Sequence, residues 1–366
     1  MLSSCAGITS IAPSVSSTAA LPSHYDKVAL LLPLHGSYGG AGTAIRDGYF
    51  AAYYDAQSRG DQASSVKIYD TTKSSNIRDL YRQAVADGAQ MVIGPLDKDS
   101  VASLKSSGHI TVPTLALNYT NQRPTQNFFA VGLSPQNQAY QAANKAWSDG
   151  HRNAIIIAPQ GLWGFSIANA FTKQWQQLGG NIIDGLNYTP NQNLGDAIKN
   201  LLHVKQIPSR NSNRMAERRQ DADILFLVAL SQNARKIVPL LKFYYLGNLP
   251  VYSVSLIYDG VTNPAADRDM DGVYFCDSPW IFKDLPKMRL LRQGMAHLWP
   301  SPYHNYIRLY ALGLDAYLLT QNLNRLDPTG QNAVPGATGK LYLDNQQNIW
   351  QVLQWAQFRD GKPYLI

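Results

Sequence analysis

The chain has 366 residues, 45% hydrophobic and 16% charged, with a formal net charge of +7. That balance excludes an intrinsically disordered chain, and no apolar run approaches the roughly 18 residues of a membrane-spanning helix. The charge is modest for this length: it permits attraction to anionic surfaces and does not require nucleic acid.

The first stretch is MLSSCAG. Leu2-Ser3-Ser4-Cys5 resembles the end of a bacterial lipobox, the signal whose cysteine is acylated and becomes the first residue of the mature lipoprotein. The plain alternative is an ordinary cysteine near a frayed terminus. A full secretory signal also needs a basic start and an apolar run, so the rest of it is expected upstream of Met1. Residues 6–24 are rich in Ser, Thr, Ala and Pro, carry no Asp, Glu, Lys or Arg, and show neither helix nor strand period. This reads as a tether, with a mean span of roughly 25 Å and about 65 Å at full stretch. A tether that starts at an acylatable cysteine makes physical sense, so Cys5 is the expected lipidation site. Cys276, in the apolar VYFC, then has no partner and reads as a buried thiol.

The remaining 340 or so residues exceed one typical core and suggest two domains. KVALLLPL is a strand, and GTAIRDGYFAAYYDAQSRG a helix with Ile45, Tyr49, Ala52, Tyr53 and Ala56 on one face. VKIYD, MVIGP and TVPTLALN are further strands, separated by the helical IRDLYRQAVADG and DKDSVASLKSSG. The alternation restarts at SPQNQAYQAANKAWSDG and runs through the strands NAIIIAP, NIIDGLNY, DILFLVAL and PVYSVSL, with a helix interrupted at Pro239. Alternating strands and helices give a parallel sheet with helices packed on it, and continuously apolar strands fit burial on both faces.

Eight such units suit a closed barrel or two doubly wound lobes. The C-terminal third favours two lobes. It adds the strand DGVYFC, a long helix with Ile307, Tyr310, Ala311, Leu314 and Leu318 on one face, and KLYLDNQQNIWQVLQWAQF, which reads as a hairpin about Asp344-Asn345. A barrel needs none of these. We therefore expect an α/β fold of two doubly wound parallel-sheet lobes joined by a three-crossing hinge. The boundaries expected are 1–24 tether, 25–130 lobe 1, 131–258 lobe 2, 259–338 return to lobe 1, and 339–366 a hairpin on lobe 2.

The segments VALLLPLHGSYGGAGTAIRDGYFAAYY, VIGPLDKDSV, PTLALN, GLSPQNQA, APQGLWG, RRQDADILFLVA, PVYSVSLIYDG, DMDGVYFCDSPW, RLYALGLDAY and ATGKLYLD carry a resemblance. In this order they resemble the type I periplasmic binding-protein fold, and within it the LpoA/LppC family of outer-membrane lipoproteins that activate class A penicillin-binding proteins. The resemblance runs from about Val28 to Phe358. Many members carry a helical-repeat domain ahead of this one; here the tether leads straight into the first strand, so that domain is expected to be missing. The resemblance implies a non-catalytic lipoprotein that binds and stimulates a peptidoglycan synthase. It also implies anchoring through lipid to the outer membrane on the periplasmic side, since Ala6 is not the Asp that holds such lipoproteins at the inner membrane. Peptidoglycan itself is a further contact it allows. The alternative, resting on fold alone, is a periplasmic solute-binding protein for a small polar ligand.

Local motifs add little chemistry. GSYGGAG sits between a strand and a helix but matches no phosphate-loop pattern, and reads as a turn with close backbone packing. Asp267, Asp269 and Asp271 copy half of a calcium loop, yet the twelfth position is Ser278 and a strand follows at once. Ser64-Ser65-Val66-Lys67 lacks the partner motifs of penicillin-binding enzymes. The seven histidines have no metal-ligand spacing. We expect no catalytic residues, no cofactor and no resident metal.

Ligands of open α/β sheets sit beyond the carboxyl ends of the strands. Those ends carry His35, Ser37 and Tyr38; Asp70 and Thr71; Asp97; Asn118 and Tyr119; Gln160 and Trp163; Tyr188; Ser231; and Tyr258. These are the cleft candidates. After Gly94-Pro95, where amino-acid receptors usually place a serine for the ligand carboxylate, the chain has Leu96-Asp97-Lys98-Asp99. Acids there would repel a carboxylate, although Asp97 also suits a helix N-cap. Residues 203–219 carry Arg210, Arg214, Arg218 and Arg219 and read as an exposed basic loop, the candidate partner-docking surface. No aromatics interleave these arginines, which argues against single-stranded nucleic acid.

Overall fold

A computed structural model describes residues 21–189, 192–206, 216–217, 219–245, 249–282, 286–298, 300–327, 329 and 331–366. In chain order, strands and helices are β1 (Lys27–Leu32), α1 (Gly39–Ser58), β2 (Ser65–Asp70), α2 (Ile77–Ala86), β3 (Met91–Ile93), α3 (Lys98–Lys105), β4 (Thr114–Ala116) and β5 (Phe128–Val131). Then come α4 (Pro135–Ser148), β6 (Asn153–Pro159), α5 (Leu162–Gln177), β7 (Asn181–Tyr188), α6 (Leu194–Leu201), β8 (Lys205–Gln206), β9 (Ala216–Glu217), β10 (Ile224–Leu227), α7 (Ser231–Tyr245) and β11 (Val251–Ser253). The chain finishes with α8 (Pro264–Asp267), β12 (Tyr274–Asp277), α9 (Pro286–Leu298), α10 (Pro300–Asn322), β13 (Val334–Pro335), β14 (Lys340–Leu343), β15 (Asn348–Val352), β16 (Gln354–Arg359) and β17 (Lys362–Leu365).

Two sheets result. The first has the order β13-β14-β15-β5-β4-β3-β1-β2, and the second β17-β16-β12-β11-β10-β6-β7. The centre of each is parallel, and the antiparallel pairs lie toward one edge, in β13 to β15 and in β12, β16 and β17. The sequence explains why. In β1, Val28, Leu30 and Leu32 feed the core under α1 and α10, while Ala29 and Leu31 feed the core under α2 and α3. In β10, Leu225 and Leu227 face α6 and α7, and Ile224 and Phe226 face α4 and α5. Period-2 side chains that are apolar on both faces demand helices on both faces. The edge strands β2 and β7 are more exposed and mix polar residues into the run, as edges do.

Expected two-lobe architecture and observed architecture agree, but several details differ. β5 has no counterpart among the expected strands; its four buried residues are too few for a periodicity. The hairpin about Asp344 exists, yet it joins lobe 1, where β15 pairs with β5. What read as its second strand is two strands, β15 and β16, in different sheets. At the break, Gln141 of α4 takes the backbone's place: its Nε2 donates to Gln351 O at 2.8 Å and its Oε1 accepts from Leu353 N at 2.9 Å. The return to lobe 1, expected from residue 259, falls later, because β12 still belongs to the second sheet. α7 runs through Pro239 without stopping. Its buried Ile237, Val238 and Leu241 offset the hydrogen bond the proline cannot make.

The lobes meet along α10. Leu312, Ala316 and Leu319 pack into lobe 1, while Ile307, Tyr310, Ala311 and Leu314 pack with Leu225, Leu227 and Phe275 of lobe 2. α1 lies against α10 closely enough that glycine is required on both. A Cβ at Gly48 would sit 2.2 Å from Tyr310 O, and one at Gly313 would sit 2.1 Å from Ile45 O.

Candidate functional site

The carboxyl ends of the strands lie on the sides of the lobes where a ligand crevice is expected. Polar groups there bond mainly to their own lobe. At the ends of β1 and β2, Asp70 accepts from Leu34 N at 3.0 Å, from Thr72 N at 3.1 Å and from the Thr72 hydroxyl at 2.6 Å. His35 Nδ1 lies 2.7 Å from the second Asp70 oxygen. Partial burial pushes the Asp70 carboxyl up. The Thr72 hydroxyl, the two backbone N–H groups and His35 outweigh this and hold it well below the ordinary carboxylate range. Thr71 sits beside this knot, and Ser37 and Tyr38 are exposed on the short turn before α1. A Cβ at Gly42 in the glycine-rich stretch would sit 1.8 Å from Pro33 O, so close packing of helix on strand accounts for that residue.

Asp97 is the N-cap of α3, accepting from Ser100 N at 2.8 Å. Asn118 donates to Leu96 O at 3.2 Å and accepts from Tyr119 N at 3.0 Å. Tyr119 is a hinge clamp. Its hydroxyl donates to Ile349 O at 2.7 Å and lies 3.2 Å from Gly132 O, and its ring stacks on Trp350 with centroids 4.4 Å apart. Those contacts tie the first crossing to the last, and Gln351 Nε2 adds a bond to Gly132 O at 3.1 Å.

In lobe 2, Tyr188, Ser231 and Tyr258 are buried instead of facing a ligand. Tyr188 donates to Val228 O at 3.3 Å, and the Tyr258 hydroxyl meets that of Thr262 at 3.0 Å. Burial pushes both phenols up to about 12. The Ser231 hydroxyl donates to Asp259, and Arg235 bridges Asp259 and Asp267 at 3.1 and 2.7 Å. Asp267 therefore turns inward, while Asp271 accepts from Gly361 N at 2.8 Å, so the calcium-like acids diverge. Gln160 and Trp163 remain exposed.

The basic stretch requires a correction. Arg210, Arg214 and Arg218 lie outside the described residues, as does Cys5. Arg219 is described and is not a surface residue: its side chain is 3% exposed. It grips Asp221 with two bonds of 2.8 and 3.0 Å, Asp184 at 2.9 Å and Leu201 O at 2.7 Å. A charge run read along the sequence cannot show that its last member points back into the lobe.

Two features escaped sequence reasoning. Arg308 of α10 crosses to lobe 2. There it binds Asp277 with bonds of 2.9 and 2.5 Å and donates to Ser255 O and Tyr258 O at 3.1 and 2.8 Å. Burial pushes the Asp277 carboxyl up, and Arg308 pulls the other way. The second feature is an exposed apolar cluster in the first turn of α5, where Leu162 is 89% and Phe165 67% exposed beside Trp163. The signal was present: the buried face of α5 is Gly164, Ile167, Phe171 and Trp175, and Leu162 and Phe165 fall in phase with Ser166, Asn169 and Lys173.

Among the described residues, no group of three or more His, Cys, Asp or Glu is placed to hold a metal, and no helix is long and apolar enough to cross a membrane. Known proteins resemble this arrangement closely. The penicillin-binding protein activator LpoA of Photobacterium profundum is 30% identical over 91% of this chain and 56% of its own length. The C-domain of LpoA (YraM) from Haemophilus influenzae, a regulator of PBP1A, superposes with a TM-score of 0.75 at 30% identity, covering 93% of this chain and 99% of that one. An ABC transporter substrate-binding protein from Sphaerobacter thermophilus, 17% identical with a TM-score of 0.63 over 93% of this chain and 96% of that one, shares the fold alone. The chain thus spans little more than half the length of the curated activator and nearly all of the isolated C-domain. The family model described as "LppC putative lipoprotein" matches residues 21–361, and the chain belongs to that family.

Proposed function

We propose that this chain is the partner-binding part of a non-catalytic outer-membrane lipoprotein that stimulates a class A penicillin-binding protein, a peptidoglycan synthase, from the periplasmic side. One observation carries the reading: the match to the isolated C-domain of a PBP1A regulator along 99% of that domain. The use of the polar side chains supports a non-catalytic role, since Asp70, Asp97, Asn118, Tyr119, Tyr188 and Ser231 serve caps, turns and hinge contacts. Acylation of Cys5 supplies the anchor in this reading. Several acyl chains are needed, because one binds a membrane only marginally.

The partner meets an outer surface of lobe 2, because a folded domain cannot enter a small-molecule crevice. Arg210, Arg214 and Arg218 steer its approach. Leu162, Trp163 and Phe165 give the apolar, aromatic composition in which interface anchors are enriched.

The test is a pull-down with a purified class A penicillin-binding protein, followed by a glycan cross-linking assay. Wild-type protein should bind and stimulate. Leu162→Ser with Phe165→Ser should weaken binding at least tenfold, the scale of losing interface anchors. Replacing Arg210, Arg214 and Arg218 by Ser should slow association and reduce its salt sensitivity. No binding by wild-type protein refutes the function. Binding and stimulation untouched by both sets of changes refute the surface and leave the function standing.

A further inference from the structure

A cavity of about 540 Å³ opens between α9, the start of α10 and the Gly260 loop. Its size is within the range of small-molecule sites. It is distinct from the knots at the strand ends, and its lining has two characters. One side is apolar, with Val261, Ile281 and Ile307. The other is cationic and polar, with Arg289, Arg292, Tyr303 and His304, and no carboxylate among the described residues lines the cavity.

One buried group points to an occupant. Tyr303 is 3% exposed and lines the cavity, yet its hydroxyl makes no hydrogen bond of ordinary geometry among the described residues. Trp280 is fully buried just behind, and its indole N–H faces the Tyr303 hydroxyl, which can accept from it and still donate its own proton. A buried donor is rarely left unpaired, because each unmade bond is costly. Burial pushes the Tyr303 phenol up to about 12, against the pull of Arg292 and of the Trp280 N–H, so it remains a neutral O–H donor at physiological pH. Arg292 is held in place: it donates to Phe282 O at 3.1 Å, and its guanidinium lies 5.2 Å from the Trp280 ring centroid. A positioned guanidinium beside a donor hydroxyl suits a carboxylate or phosphate head, and the opposite wall suits hydrocarbon.

We propose that this cavity binds a single-chain amphiphilic anion, with its head at Arg289, Arg292 and the Tyr303 hydroxyl and its apolar body against Val261, Ile281 and Ile307. The site does not depend on the partner reading, and its test measures binding alone.

Isothermal titration of the full chain with octanoate, octyl phosphate and 1-octanol tests it. At least one anion should bind saturably and about tenfold or more tighter than the alcohol, the scale of a hydrogen bond to a charged group. The tighter anion identifies the head group as carboxylate or phosphate. Arg289→Gln and Val261→Trp both alter exposed positions. Each should weaken binding of that anion about tenfold, with thermal melts matching wild type. Three outcomes would overturn the proposal: no saturation by either anion at millimolar concentration, equal binding of octanol, or binding unchanged in both variants.

Discussion

Arg308 and Arg219 are both largely withdrawn from water, both hold carboxylates, and both also bond to backbone carbonyls. They differ in what surrounds their acids. Arg308 spans the seam between the lobes, and its partner Asp277 is fully buried. Arg219 joins elements within lobe 2, and its partners Asp184 and Asp221 are about half exposed. Without Arg219 its acids can be hydrated. Without Arg308, Asp277 remains in a dry seam. The worth of such a pair is therefore set less by the depth of the cation than by whether the abandoned acid can reach water.

The largest effect that follows is on the seam. Arg308→Met should destabilise the protein by about 3–5 kcal/mol, the scale of removing one partner from a buried pair, as read by denaturant unfolding. Adding Asp277→Leu should recover most of that loss, because the charge left behind is gone. A double variant as unstable as the single one would place the worth of Arg308 in its bonds to Ser255 and Tyr258 instead.

Asp315 extends the comparison to a buried acid held by neutral donors. It accepts from Ala337 N at 2.5 Å, Thr338 N at 2.7 Å and the Thr338 hydroxyl at 2.5 Å. Burial pushes its carboxyl from 3.8 up to about 6, against the pull of those bonds. A raised carboxyl contributes stability below its unfolded value, and loses it as pH rises through the folded one. Stability should thus fall between about pH 4 and pH 6 by up to about 3 kcal/mol from this group. Melting curves of wild type and Asp315→Asn should converge, or cross in favour of the variant, over that window; parallel curves would show that Asp315 does not titrate there. Asp70, held below the usual range, has the opposite sign: its contribution is present above the unfolded value and lost as pH falls.

The smallest effect should come from Arg219. Arg219→Met should cost about 1–2 kcal/mol, the scale of lost hydrogen bonds between a charged donor and acids that water can then solvate. A loss equal to that of Arg308→Met in the same unfolding measurement would break the comparison.

The long strand and helix patterns were legible because each depends on near neighbours. Val28 to Leu32 could only be a strand covered on both faces, and Asp97 could be read as a cap from its residue type at the start of a helix. The candidate site was much less legible. Asn118, Tyr119, Tyr188 and Ser231 were correctly placed at strand ends, but a sequence position does not tell where a hydroxyl or amide points. Tyr119 was taken by Gly132 and Ile349, the latter 230 residues away. Leu162 and Phe165 were visible in principle, as apolar residues in phase with a polar helix face.

By itself the sequence determined the alternation of elements, the two-lobe α/β class and the family, because burial periodicity and ordered segment matches survive without coordinates. Only the tertiary structure decided that the terminal hairpin joins lobe 1, that Arg219 turns inward, and that Arg308 and Asp277 close the seam. Each of these is a pairing between distant parts of the chain. Its free energy depends on the dryness of the place where the two groups meet, and that place exists only after the lobes have packed.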